Sequence, residues 1–147
     1  MMRLAIACDH GALDLKNHLS VHLQSKGYEV VDFGTNTRQS CDYPDYAADA
    51  ARAVASGTCE KGIVLCTTGI GVSICANKIK GIRCALLSDV RSAELTRLHN
   101  DTNMMAMGAG IISEELAFQI ADTWLSTPFS GEPRHQRRID KMMALEK

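Results

Sequence analysis

The chain has 147 residues, 46% of them hydrophobic and 22% charged, with 16 Lys and Arg against 17 Asp and Glu. That length suits one domain, residues 1–147, around one core, and a net charge of −1 leaves no field to attract nucleic acid or an anionic membrane. No apolar run nears the roughly 20 residues of a membrane span, and the N-terminus lacks a signal peptide's apolar stretch, so a cytoplasmic protein is expected.

Arg3 to Cys8 reads as a buried first strand, ended by Asp9, His10 and Gly11. Leu15, Leu19 and Leu23 recur at helical spacing, which predicts an amphipathic helix over 13–25, with Gly27 past its end. Residues 28–33 predict a second strand. A polar loop leads to Pro44, near the start of an alanine-rich helix running to about Ala55. Ile63-Val64-Leu65-Cys66 is a third strand, and Thr67-Thr68-Gly69-Ile70-Gly71 turns it into a helix beginning near Val72. Residues 82–87 predict a fourth strand, 90–98 a helix, and 104–107 a short, methionine-rich fifth strand. Ser113 is placed to cap a helix over 114–125. Pro128 and Pro133 break the chain before a basic helix, Arg134 to about Leu145. Strands alternating with helices imply a parallel sheet with right-handed crossovers. The predicted fold is α/β and Rossmann-like, with five strands between two helical layers.

The six cysteines show no Cys-x-x-Cys spacing, and without an export signal they are read as reduced. Most suit core thiols. Cys66 differs because it ends a strand, and ligands of open α/β sheets sit beyond the carboxyl ends of the strands. A glycine-rich turn there directs backbone N–H groups at one point, which favours anions. A thiolate beside it can serve as base or nucleophile. The Gly69-Ile70-Gly71 pair lacks the third glycine of a dinucleotide fingerprint, since Ile74 stands there, but Asp89 lies where the ribose-binding acid would be, so a nucleotide-binding module stays a lesser alternative.

Asp9 and His10 fall on the same sheet edge, and suit sugar hydroxyls or acid/base work as well as a capped turn. His99-Asn100-Asp101 precedes the fifth strand and so lies at the opposite edge, where only a partner subunit could bring it to Cys66. Arg134, Arg137 and Arg138 share a helical face, suited to phosphate or to solvent. No histidine or cysteine spacing suggests a metal cage.

Together, Cys8-Asp9-His10, Asp42-Tyr43-Pro44, Cys66-x-Thr68-Gly69-Ile70-Gly71, Asn77-Lys78, His99 to Asn103 and Arg134 to Arg138 form a pattern. Over essentially its whole length the chain resembles type B ribose-5-phosphate isomerase, a family shared with galactose-6-phosphate isomerase subunits. The resemblance implies a homodimer, sometimes a dimer of dimers, that needs no cofactor or metal and uses its C-terminal helix in the dimer contact. It implies aldose–ketose isomerisation of a sugar phosphate through a cis-enediolate, with ribose 5-phosphate first and four- or six-carbon sugars as alternatives. In that pattern Cys66 is the base, and the backbone of Thr67, Thr68, Gly69, Ile70 and Gly71 holds the enediolate with help from the Thr68 hydroxyl. His99 opens the sugar ring beside Asn100, both from the neighbouring subunit. Asp9 and His10 contact the substrate, Tyr43 lines the site, and Arg134 and Arg138 hold the phosphate. Two positions depart from the pattern: Thr67 replaces a usual glycine, and Gly110 a common arginine.

Overall fold

The computed structural model describes residues 1–146. Its five strands are β1 (Arg3–Cys8), β2 (Glu29–Asp32), β3 (Lys61–Cys66), β4 (Cys84–Leu86) and β5 (Met104–Gly108). All neighbours pair in parallel, in the order β2-β1-β3-β5-β4. The six helices are α1 (Leu13–Ser25), α2 (Tyr43–Ala55), α3 (Ile70–Asn77), α4 (Val90–Asn100), α5 (Glu114–Ser126) and α6 (Pro133–Met143).

Alternation along the central strands divides the core into two layers. Leu4 and Ile6, Ile63 and Leu65, and Met105 and Met107 face α1 and α5, where Leu19, Leu23, Ile120 and Trp124 are buried. Ala5, Ala7, Val64 and Ala106 face the other way, towards Ala47, Ala50 and Ala51 of α2 and Val72 of α3. Each fully buried leucine or isoleucine contributes about 1.5–3 kcal/mol. The alanine-on-alanine face lets α2 lie close to the sheet, and Cys66 belongs to this side.

Three of the boundary differences from the sequence reading have a direct structural cause. The α3 helix begins at Ile70, because Gly69 takes a left-handed conformation (φ 77°) and turns the chain directly into it. The fourth strand is only three residues long, since the Arg83 N–H bonds the Asn103 side chain instead of a strand. The α4 helix continues through Asn100 and stops at Asp101, which is left-handed at φ 44°. His99 and Asn100 are therefore in a helical turn rather than a loop. Among the described residues no helix is long and apolar enough to cross a membrane.

The buried Lys16 falls on the apolar stripe of α1, yet its ammonium is fully enclosed. It donates to Asp32 (2.8 and 2.9 Å), to the Asn36 side chain (2.7 Å) and to the Thr35 carbonyl. A buried charge is tolerated only with such partners. They fix the start of the loop that leads to Tyr43.

Candidate active site

The strand order reverses between β1 and β3, and the crevice beyond their carboxyl ends is the expected ligand position in such a sheet. Asp9 and Cys66 both stand there, each just at or past a strand end. The turn after β3 is laid against the end of β5. Ala109 N–H donates to Cys66 O (2.9 Å) and Gly110 N–H to Thr67 O (2.8 Å). A Cβ on Gly108 would stand 2.5 Å from the Thr68 carbonyl, and one on Gly69 would stand 2.7 Å from the backbone of Met107. Only glycine permits this approach.

Within the turn the donors are partly used. Gly69 N–H donates to Cys66 Sγ at 3.1 Å, a bond that strengthens when the sulfur is a thiolate. Ile70 N–H donates to Thr68 Oγ1 at 3.2 Å. The Thr68 oxygen is thus an acceptor inside the turn, and it also stands 4.0 Å from Cys66 Sγ, where either atom can donate. At the start of α3 the N–H of Gly71 has no partner within the helix. The anion nest is therefore narrower than the five consecutive residues suggested.

Cys66 opens into a cavity of about 440 Å³ shared with Asp9, Tyr43, Thr67, Thr68, Ile70 and Gly71. Tyr43, at the first turn of α2, lays its ring on Gly71, where a Cβ would meet it at 2.7 Å. Asp9 is buried and accepts from Gly11 N–H at 2.9 Å, capping a 3-10 turn over His10–Ala12. Four other thiols are made poor proton acceptors by burial. Burial pushes Cys8 and Cys84 up to about 12, and raises Cys59 and Cys75.

His10 faces a neighbouring cavity of about 270 Å³ with Gly11, Asp14, Arg38 and Ala109. The Cys41 N–H donates to its Nδ1 at 3.3 Å. A backbone N–H can only donate, so Nδ1 is the acceptor and the neutral ring carries its proton on Nε2. That proton is available to an anion.

The remaining predicted residues are elsewhere. The segment before β5 is at the amino end of the sheet, where Gly62 N–H donates to Asn103 O (3.0 Å). From Lys61 to Cys66 the strand spans about 16 Å, so His99 and Asn100 do not reach the Cys66 cavity of their own chain. Instead His99 stacks on His135 of α6, ring centroids 4.4 Å apart and 18° from parallel. Desolvation first, then the charges of His99 and Arg134, hold His135 below the ordinary imidazole value. Arg134 and Arg138 stand four residues apart on α6, their charges further lower His135, and Arg134 pairs with Glu132 at 2.9 Å. Arg137 departs from the predicted cluster. It lines a groove with Pro133, Gln136 and Asp140 on the outer side of α6.

Several residues that build this second group were not singled out from the sequence. Arg97 donates to Asp101 (2.8 Å), Thr102 O (2.7 Å) and Thr127 O (3.0 Å). The Trp124 N–H donates to Thr102 Oγ1 at 3.0 Å, and Thr96 Oγ1 to Asn100 Oδ1 at 3.0 Å. The signal for His135 was its spacing to Ile139, since these are the two buried positions of α6. Among the described residues no group of three His, Cys, Asp or Glu could hold a metal ion.

The chain matches the family model described as Ribose/Galactose Isomerase over residues 4–142. It is 44% identical to ribose-5-phosphate isomerase B of Escherichia coli, over 99% of this chain and 97% of the relative. It is 42% identical to D-erythrulose-4-phosphate isomerase of Pectobacterium atrosepticum, over 89% of this chain and 87% of the relative. The structure of ribose-5-phosphate isomerase B from Clostridium thermocellum superposes with a TM-score of 0.96 at 45% identity, covering 99% and 97% of the two chains. The strand-end thiol in its glycine turn therefore sits in a chain that belongs to the ribose/galactose isomerase family.

Proposed function

We propose that this chain interconverts D-ribose 5-phosphate and D-ribulose 5-phosphate through a cis-enediolate, as a homodimer whose sites are shared between subunits. The observation that carries the reading is Cys66, the cysteine that lines the cavity with Asp9 and Thr68, its sulfur held by Gly69 N–H. The Cys66 thiolate takes the proton from C2 of the open-chain aldose. The electron pair moves into a C1–C2 double bond, and the carbonyl oxygen becomes the enediolate oxygen. Cys66 then returns its proton to C1, while a proton moves from O2 to O1. The Thr68 hydroxyl and the Gly71 N–H stabilise the oxyanion, and each good donor of this kind is worth about 2.7–4 kcal/mol. Asp9 binds the sugar hydroxyls.

Phosphate and ring opening need the second group. His99 protonates the ring oxygen with Asn100 beside it, and Arg134 and Arg138 hold the phosphate together with His10. Because that group stands at the other end of its own sheet, it serves the cavity of a second subunit. The rim of the Cys66 cavity supports this. Ile70 and Ile74 on α3 are 50% and 54% exposed, and Leu86 beside them is 46% exposed. Apolar surface of this kind around a polar site favours coverage by protein.

The similarity to D-erythrulose-4-phosphate isomerase supports a second reading, in which a four-carbon aldose phosphate is the preferred substrate. The test is ketose formation from aldose phosphates of four, five and six carbons, with exchange of the C2 proton into solvent measured in parallel. Cys66→Ala should abolish both, and retained exchange would contradict the cysteine base.

A further inference from the structure

We propose that Thr67 is a specificity-determining side chain that limits how long an aldose phosphate the site accepts. This rests on the isomerase reading of the Cys66 cavity. Thr67 stands where the two cavities adjoin: it lines that of Cys66, while Gly11 and Ala109 line that of His10. Its side chain is wedged between the loops after β1 and β5. A Cβ on Gly11 would collide with Thr67 Oγ1, and one on Gly110 would stand 3.0 Å from Thr67 Cγ2 and 3.1 Å from Thr67 O. Two glycines thus make room for one threonine.

That side chain has no evident task in the fold. Thr67 is exposed, and its hydroxyl makes no hydrogen bond to protein among the described residues. The neighbouring threonine, by contrast, accepts Ile70 N–H and belongs to the turn. A β-branched side chain has few χ1 states, so Thr67 acts as a fixed wall rather than a swinging gate. A substrate held at its reacting end by Cys66 and at its phosphate near His10 must pass this wall. Each added carbon lengthens the part that has to fit there, so the wall admits shorter sugars and rejects longer ones. A step of one methylene in such a pocket is worth about 10–200-fold in kcat/KM.

The experiment compares kcat/KM for a five-carbon and a six-carbon aldose phosphate in four proteins: wild type, Thr67→Gly, Thr67→Val and Gly110→Ala. Wild type should favour the five-carbon sugar. Thr67→Gly should lower that preference about tenfold or more. Thr67→Val keeps the shape without the hydroxyl and should retain the wild-type ratio. Gly110→Ala presses on the Thr67 methyl and should raise the preference, which also serves if Thr67→Gly fails to fold. An unchanged ratio in folded Thr67→Gly, or a Thr67→Val ratio like that of Thr67→Gly, overturns the proposal while leaving the isomerase reading intact. A wild type that isomerises neither sugar, nor a four-carbon one, overturns both.

Discussion

The two groups of polar residues are built by opposite means. At the carboxyl end of β3 the positions are set by backbone: a left-handed Gly69, a Gly108 in contact with Thr68, and a sulfur held by an N–H. At the end of α4 they are set by side chains: the Arg97 fork, the Trp124–Thr102 bond and the stacked His99–His135 pair. Steric constraints penalise any added side chain, whereas side-chain networks loosen by degrees. The first group suits a reaction whose oxyanion must be met within tenths of an ångström. The second suits a charged anchor and a proton donor brought from a neighbour.

The largest effect should come from the thiol itself. Cys66→Ala should lower kcat by about 10²–10⁴, the span of general base catalysis, with little change in KM; steady-state kinetics on ribose 5-phosphate checks it. In the side-chain group, Arg138→Ala should act mainly on binding. Charge-assisted hydrogen bonds are worth about 1.5–3 kcal/mol, so KM should rise about 10–150-fold with kcat largely kept. A kcat loss as severe as that of Cys66→Ala would erase the contrast between the groups.

Gly69→Ala tests the steric character of the turn. A non-glycine residue in that conformation costs about 1–3 kcal/mol, and the added methyl meets the backbone of Met107. Urea unfolding should show a lower midpoint, whereas His135→Asn should perturb stability less and turnover of cyclic sugar more.

The smallest effect is expected at the rim of the His10 cavity, where His18 bonds Glu114 at 2.6 Å. That bond, and then the Glu114 charge, raise the His18 pKa above its ordinary 6.5. The contribution is complete below 6.5 and is lost as pH rises through the raised folded value. Glu114→Gln should therefore lower Tm slightly at a pH below 6.5, and the difference should fade once the pH passes the raised folded value.

Much of this was legible in the sequence because local signals agreed with the fold. The Leu15-Leu19-Leu23 spacing, Pro44 and Ser113 all marked elements that formed as read. The strand ending at Cys66 and the edge assigned to His99 followed from alternation of strands and helices alone. Other features were hidden because they depend on contacts distant in sequence. The fourth strand was shortened by Asn103, twenty residues away. The burial of Lys16 on an apolar stripe had no local signal, because its partners Asp32 and Asn36 lie 16 and 20 residues on. The role of Thr67 emerged only from glycines 56 residues before it and 43 after it, at positions 11 and 110.

The central claim, that each site joins the turn of one subunit to the helix end of another, is tested most directly by complementation. Cys66→Ala and His99→Asn proteins, each inactive on cyclic ribose 5-phosphate, are mixed and allowed to exchange subunits. A shared site predicts that heterodimers regain one intact centre, so activity should recover to about a quarter of wild type for random pairing. Recovery no greater than the mean of the two parents, with exchange verified, would place both groups in one chain's site and contradict the account.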